Sequence, residues 1–163
     1  MLDTFYATVG QVCFALLGLW WVVVQFKHHE WMRSPRHRRM AFNVSHYFIV
    51  PGIMCLVALL ADNAKTLWQL AFILAGLLGA VETVSIISNA DVAPLRPRSV
   101  QLGGWAQLIL YLLVILLACD AALGLPVGLP LTPLEVEGVV VSLLLFLGVN
   151  LAWTFFAQVE QEH

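Results

Sequence analysis

The chain has 163 residues, of which 61% are hydrophobic and 11% charged, with a formal net charge of −2 and a mean hydropathy of +0.87. Soluble domains run at about 45–50% apolar and about 25% charged. So few charges cannot cover a compact apolar fold in water. That excludes a soluble enzyme, a disordered chain and a disulfide scaffold, and points to a membrane.

A helix needs about 20 predominantly apolar residues to cross a hydrocarbon core of about 30 Å. Five segments qualify, taken here in chain order. The first covers residues 5–26. Asp3 and Thr4 precede it and are expected to cap its free N–H groups. No added positive charge precedes the segment and no small-x-small site follows it, so it is expected to be retained rather than cleaved. Thr8, Gln11, Ala15, Gly18, Val22 and Gln25 recur at helical spacing and form one stripe, small or polar along most of its length. The second segment, 41–61, carries Asn43, His46 and Tyr47 on one face, and Pro51-Gly52 predicts a kink near its middle. A tight polar turn at 62–66 makes the third segment, 67–88, its antiparallel neighbour. There Ala71, Ala75 and Gly79 form a small-xxx-small run that admits another helix closely, and Glu82, Ser85 and Asn89 continue the same face. Two prolines and an aspartate make 89–97 a turn before the fourth segment, 102–123. Pro126 and Pro130 break the apolar stretch 124–131, which is expected to lie irregularly on the outer surface, with a re-entrant loop as the alternative. Thr132-Pro133-Leu134-Glu135 combines an N-cap, a first-turn proline and a capping-box glutamate, and opens the fifth segment, 133–157.

These segments take about two-thirds of the chain and leave no room for a soluble domain. The expected fold is all-α: a polytopic transmembrane helix bundle of five spans, one integral membrane domain over residues 1–163. Of the eight basic residues, Lys27, Arg33, Arg36, Arg38 and Arg39 fall between the first two spans, Arg96 and Arg98 between the third and fourth, and Lys65 alone on the other side. The positive-inside rule then puts the N-terminus outside and the C-terminus in the cytoplasm of a plasma (inner) membrane. The loop 27–40 reads as a basic membrane-surface segment facing anionic lipid headgroups. A docking site for an anionic partner is the sharper alternative. His28, His29 and His37 add pH sensitivity, but no acid or thiol stands at metal-ligand spacing, so no metal is expected. Trp31, Trp68, Trp105 and Trp153 read as interfacial anchors, whereas Trp20-Trp21 lies deeper and is expected to pack on a neighbouring helix or subunit.

Cys13, Cys55 and Cys119 lie in three different spans with no paired spacing, and each is expected to be a small buried apolar side chain. Nucleophile-elbow, phosphate-loop, dinucleotide and metalloprotease patterns do not occur, and no cofactor is expected. Nucleic-acid binding has no support beyond the basic loop. One charge stands out as well inside a span. Glu82 lies about 9 Å, and His46 about 6 Å, from the same end of neighbouring antiparallel helices by the helical rise. A polar pocket open to the cytoplasm is therefore expected around Glu82 and His46, with Asn43, Ser85, Asn89, Gln107, Asn150, Gln25 and Tyr47 in the same half. The plainer alternative has Glu82 reaching Arg36, Arg38 or Arg39 as a clamp, with His46 satisfying a carbonyl. Asn150 and Gln11 are expected as interhelical hydrogen-bond glue.

Three functional classes follow. One is a homo-oligomeric channel or transport protein with its conduit between subunits, since five short helices enclose little volume. The second is a non-catalytic accessory or assembly subunit of a larger membrane complex. The third is a membrane redox or quinone-site protein built on His46, Tyr47 and Glu82. Expected partners are the bilayer, a second copy of the chain or other membrane subunits.

Overall fold

The computed structural model describes residues 1–27, 35–60, 65–88, 98–123 and 132–161. Among these residues the chain forms five helices: α1 (Leu2–Phe26), α2 (Pro35–Leu60), α3 (Lys65–Ser88), α4 (Arg98–Leu123) and α5 (Pro133–Gln161). Each is long and apolar enough to cross a membrane. The outward surfaces are apolar too: Leu19, Leu74, Leu78, Leu102, Ile109 and Phe146 are all exposed. In water such a surface would aggregate, and in lipid it is the solvated face.

Helix α2 is the hub. It packs against α1, α3 and α5, while α3 packs on α4 and α4 on α5. The helices α2 to α5 close a four-membered ring, and α1 lies outside it against α2 and, less extensively, α5. The core between them holds Met54, Phe72, Tyr111, Val114, Val141 and Leu144, all essentially fully buried.

Small residues decide how closely the helices approach. A Cβ built on Gly10 would come within 3.2 Å of the Cys55 Cβ, and one on Gly52 within 3.3 Å of the Cys13 Cβ, so α1 and α2 meet nearly backbone to backbone. The inward stripe of α1 is Tyr6, Gly10, Cys13, Trp20 and Val24. The Trp20 indole N–H donates to the Ala41 carbonyl at 2.9 Å, and Ser45 Oγ donates to the same carbonyl at 3.2 Å. The stripe of Thr8, Gln11, Ala15, Gly18, Val22 and Gln25 is exposed instead. The helix turns its aromatic and close-packing residues to α2 and its polar residues outward. Gln11 therefore does not join helices of this chain, and Thr8 Oγ1 bonds its own helix at Thr4 O, 2.8 Å away.

Two local expectations change. α1 begins at Leu2, one residue after Met1 and without a side-chain cap, so Asp3 sits in the first turn and acts on the helix dipole. α2 begins six residues ahead of the apolar segment, which carries Arg38 and Arg39, both exposed, on its first turns. Pro51 lies inside α2, which continues through it to Leu60. Proline offers no N–H to the Tyr47 carbonyl four residues back. Gly148 of α5 sits against that carbonyl, where a Cβ would come within 3.3 Å.

Trp68 is not an interfacial anchor but a core residue, 8% exposed and edge-on to Phe72, while Trp105 and Trp153 are exposed as expected. Trp20 is buried and Trp21 exposed. The capping box at the start of α5 forms: Thr132 N–H donates to Glu135 Oε2 at 2.7 Å and Glu135 N–H donates to Thr132 Oγ1 at 3.3 Å. The expected turns at 62–66 and 89–97, the segment 124–131, Trp31, Arg33, His28 and His29 fall wholly or mostly outside the described residues.

Candidate functional site

The short connection between α2 and α3 brings His46 and Glu82 to one level of the bundle. His46 Nε2 lies 3.2 Å from Glu82 Oε1, with the two side chains 23% and 37% exposed. The pair thus lies in the seam between α2 and α3, on the flank of the bundle rather than in its interior. It stands near the end where α1 and α3 finish and α2 and α4 begin.

The imidazole is held from its other side. His46 Nδ1 lies 3.2 Å from the carbonyl of Phe42, one turn earlier in α2, and the Phe42 ring meets the imidazole edge-on at 4.5 Å between centroids. A carbonyl oxygen only accepts, so Nδ1 carries the hydrogen of that bond. Nε2 and Oε1 then make a hydrogen bond only when one further proton lies between them. The two arrangements are imidazolium with carboxylate and neutral imidazole with carboxylic acid.

Behind the pair stands a buried polar layer. Tyr47, the residue after His46, is buried, and Tyr111 on α4 is 1% exposed. Tyr111 stands one turn after Gln107 on α4. Gln107 is 3% exposed, and its Nε2 has no hydrogen-bond partner. Glycine makes room for the tyrosine. A Cβ on Gly79 would fall inside the Tyr111 ring, and one on Gly76 would lie 2.6 Å from Ile115 Cγ1. The small residues of α3 therefore seat an aromatic ring of α4 against Gly79, one turn before Glu82. Thr83 Oγ1 bonds the Gly79 carbonyl at 2.7 Å and keeps its hydroxyl inside the α3 backbone.

Of the residues expected in this half, the structure joins His46 with Glu82 and puts Tyr47 beside them. Asn43 is half-buried on α2, one turn before His46. Ser85 is exposed one turn beyond Glu82, and its carbonyl accepts from Ser88 Oγ at 3.3 Å. Gln25 is exposed on the outward face of α1. Asn150 is exposed on α5 and donates Nδ2 to the Phe146 carbonyl at 2.8 Å, so it bonds its own helix rather than another. Asn89 lies outside the described residues. In the basic segment Lys27 is the residue after α1 and Arg38 and Arg39 are exposed, while the side chain of Arg36 and all of Arg33 lie outside what is described. Among the described residues no group of three or more His, Cys, Asp or Glu side chains has metal-site geometry.

Sequence reasoning placed Gln107 in this half of the bundle but passed over two groups, its neighbour Tyr111 and Glu137. Gln107 and Tyr111 are four apart on one face of α4, opposite Gly76 and Gly79, and that pairing of a polar face with glycines was the available sign. Glu137 is the second. It is 0% exposed, and neither carboxyl oxygen has a hydrogen-bond partner. It sits at the other end of the bundle, near the start of α5.

Comparison with protein-family models, with curated proteins and with solved structures finds no match to this chain.

Proposed function

We propose that the chain is a subunit of a homo-oligomeric membrane transport protein, a channel or carrier for protons or small cations, with the His46–Glu82 pair as its protonatable group at a cytoplasmic mouth. The observation that carries this reading is the 3.2 Å contact between His46 Nε2 and Glu82 Oε1, with Nδ1 already bound to Phe42 O. A shared proton at a half-exposed position can be exchanged, whereas a fully buried one is locked. Ionisable groups inside spans mark ion paths and proton relays far more often than they serve as filler. The flank position of the pair supports a conduit between subunits. Gln11 on the exposed face of α1 supports a protein neighbour there, since a primary amide facing hydrocarbon is costly.

The second reading, an accessory subunit of a larger membrane complex, rests on that same exposed stripe, which a foreign helix would cover equally well.

The test is reconstitution of the purified protein into liposomes with an internal pH dye and an imposed potassium diffusion potential. Wild-type protein is expected to carry protons, and Glu82→Gln and His46→Gln to lose at least tenfold in rate while remaining assembled by native mass spectrometry. Unchanged flux in both variants refutes the role of the pair. An absence of flux together with foreign chains co-purifying favours the accessory subunit.

A further inference from the structure

We propose that Glu137 is a second proton-binding site, at the opposite end of the bundle, with the Tyr6 side chain as its cover. This is independent of the role given to His46 and Glu82.

The geometry has three parts. Glu137 is fully buried with both carboxyl oxygens lacking a hydrogen-bond partner. Charge taken out of water needs an opposite charge or hydrogen bonds, and among the described residues this side chain has neither. The smallest species that removes the imbalance is a proton, which needs no coordination shell. The titratable groups that face it from the packed helices are Tyr6 on α1 and, beyond it, Cys55 on α2. α4 brings Val114, Leu117 and Ala118 to the adjoining core. Glu135, two residues earlier on α5, is turned to Thr132 in the capping box. None of these groups is basic.

The cover is Tyr6. Its hydroxyl donates to the Leu134 carbonyl at 2.6 Å and ties the first turns of α1 to the first turn of α5. Gly138, next to Glu137, lets the ring approach: a Cβ there would lie 2.9 Å from Phe5 Cε1 and 3.4 Å from the Tyr6 oxygen. α1 is the peripheral helix of the bundle, outside the α2–α5 ring, and packs less extensively on α5 than on α2. Parting that contact exposes the carboxyl without disturbing the α2–α5 ring. Proton exchange at Glu137 is therefore gated by the opening of α1 over Gly138.

Infrared spectroscopy of the wild-type protein in lipid vesicles at neutral pH tests this. The expected result is a protonated-carboxyl C=O band that Glu137→Gln removes and Glu82→Gln leaves in place. On transfer to D2O the band should shift slowly, and Tyr6→Phe should speed that shift roughly two- to twelvefold, the effect of losing one ordinary hydrogen bond. Labelling of wild-type protein with a hydrophobic carbodiimide, which adds across the O–H of a carboxylic acid, is expected to modify Glu137 in peptide mass maps without any substitution. Three results overturn the proposal. One is Glu137 absorbing as carboxylate. Another is sodium converting the acid band to carboxylate, which makes the site one for a metal cation. The third is a band exchanging at the same rate in Tyr6→Phe, which removes the cover.

Discussion

Gly79→Ala is the substitution whose cost the structure specifies most sharply. The new methyl would fall inside the ring of Tyr111, which is itself 1% exposed and has nowhere to turn. The ring must leave its seat or α3 and α4 must separate, and overpacking of this kind costs about 1–3 kcal/mol. Gly18→Ala is the matched control. It lies on the exposed face of α1 with nothing within 4 Å of the new Cβ, so it gains only the helix preference of alanine over glycine, about 0.5–1 kcal/mol. The helix preference is common to both substitutions, so the two variants should differ by about 1–3 kcal/mol, the cost of the overpacking at Gly79. Reversible unfolding in bicelles, followed by tryptophan emission, measures both. Tyr111→Leu combined with Gly79→Ala should recover part of the loss, because the clash is with the ring and not with the α4 backbone. Equal stability of Gly79→Ala and Gly18→Ala would refute the account of α3–α4 packing, and with it the placement of Tyr111 against Gly79.

Three smaller effects follow from single contacts. Tyr6→Phe removes the bond to the Leu134 carbonyl and should cost about 0.5–1.5 kcal/mol in the same unfolding assay. Thr132→Ala removes the hydroxyl that accepts from Glu135 N–H and donates to Glu135 Oε2, while the residue 132 N–H can still reach the carboxylate, and should cost about 0.5–2 kcal/mol, with faster amide exchange confined to the first turn of α5. Trp20→Phe loses both the indole N–H to the Ala41 carbonyl and part of the buried ring, which should lower stability by more than the about 0.5–1.5 kcal/mol of the hydrogen bond alone and leave helix content unchanged by circular dichroism.

The helices were legible because each apolar run is long and ends in residues with a definite stop chemistry, most clearly at Thr132 to Glu135. The pairing of His46 with Glu82 was legible for a related reason. A tight connection makes neighbours antiparallel, and the helical rise then sets equal depths. The facing of α1 was not legible. Thr8 to Gln25 and Tyr6 to Val24 share one period, and periodicity alone does not say which stripe looks inward. The decision came from Gly10 and Cys13 meeting Gly52 and Cys55, a contact between helices. Glu137 was hidden by its neighbour. Glu135 is a capping residue, and two residues along a helix rotate a side chain by about 200°, so one glutamate reaches Thr132 while the other enters the core. Trp68 was misplaced for want of the same information, since a tryptophan near a helix end serves equally as an anchor or as a core ring until its partner, Phe72, is seen.

The two polar places in the bundle differ in what the chain has given them. His46 and Glu82 satisfy each other on the flank, half-exposed, and Phe42 fixes the imidazole. Glu137 is sealed without a partner under Tyr6. Between them lie Met54, Phe72, Val114, Val141 and Leu144, packed to near-complete burial from four helices. Interiors at that density do not conduct ions or water without rearrangement. A proton entering at one end therefore has no ready route to the other through a single chain. That separates the two sites: in the proposed function the flank pair serves a path outside the four-helix ring, and in the proposed gating Glu137 exchanges with its own side of the bundle through the motion of α1. Substituting Glu137 should accordingly leave the proton on the His46–Glu82 pair undisturbed, and the reverse should hold. Additive effects on stability in the Glu82→Gln, Glu137→Gln double variant would express that independence, to within about 0.3–0.5 kcal/mol. A larger coupling energy would mean that the apolar layer transmits strain between the ends, and the two carboxyls would then belong to one device.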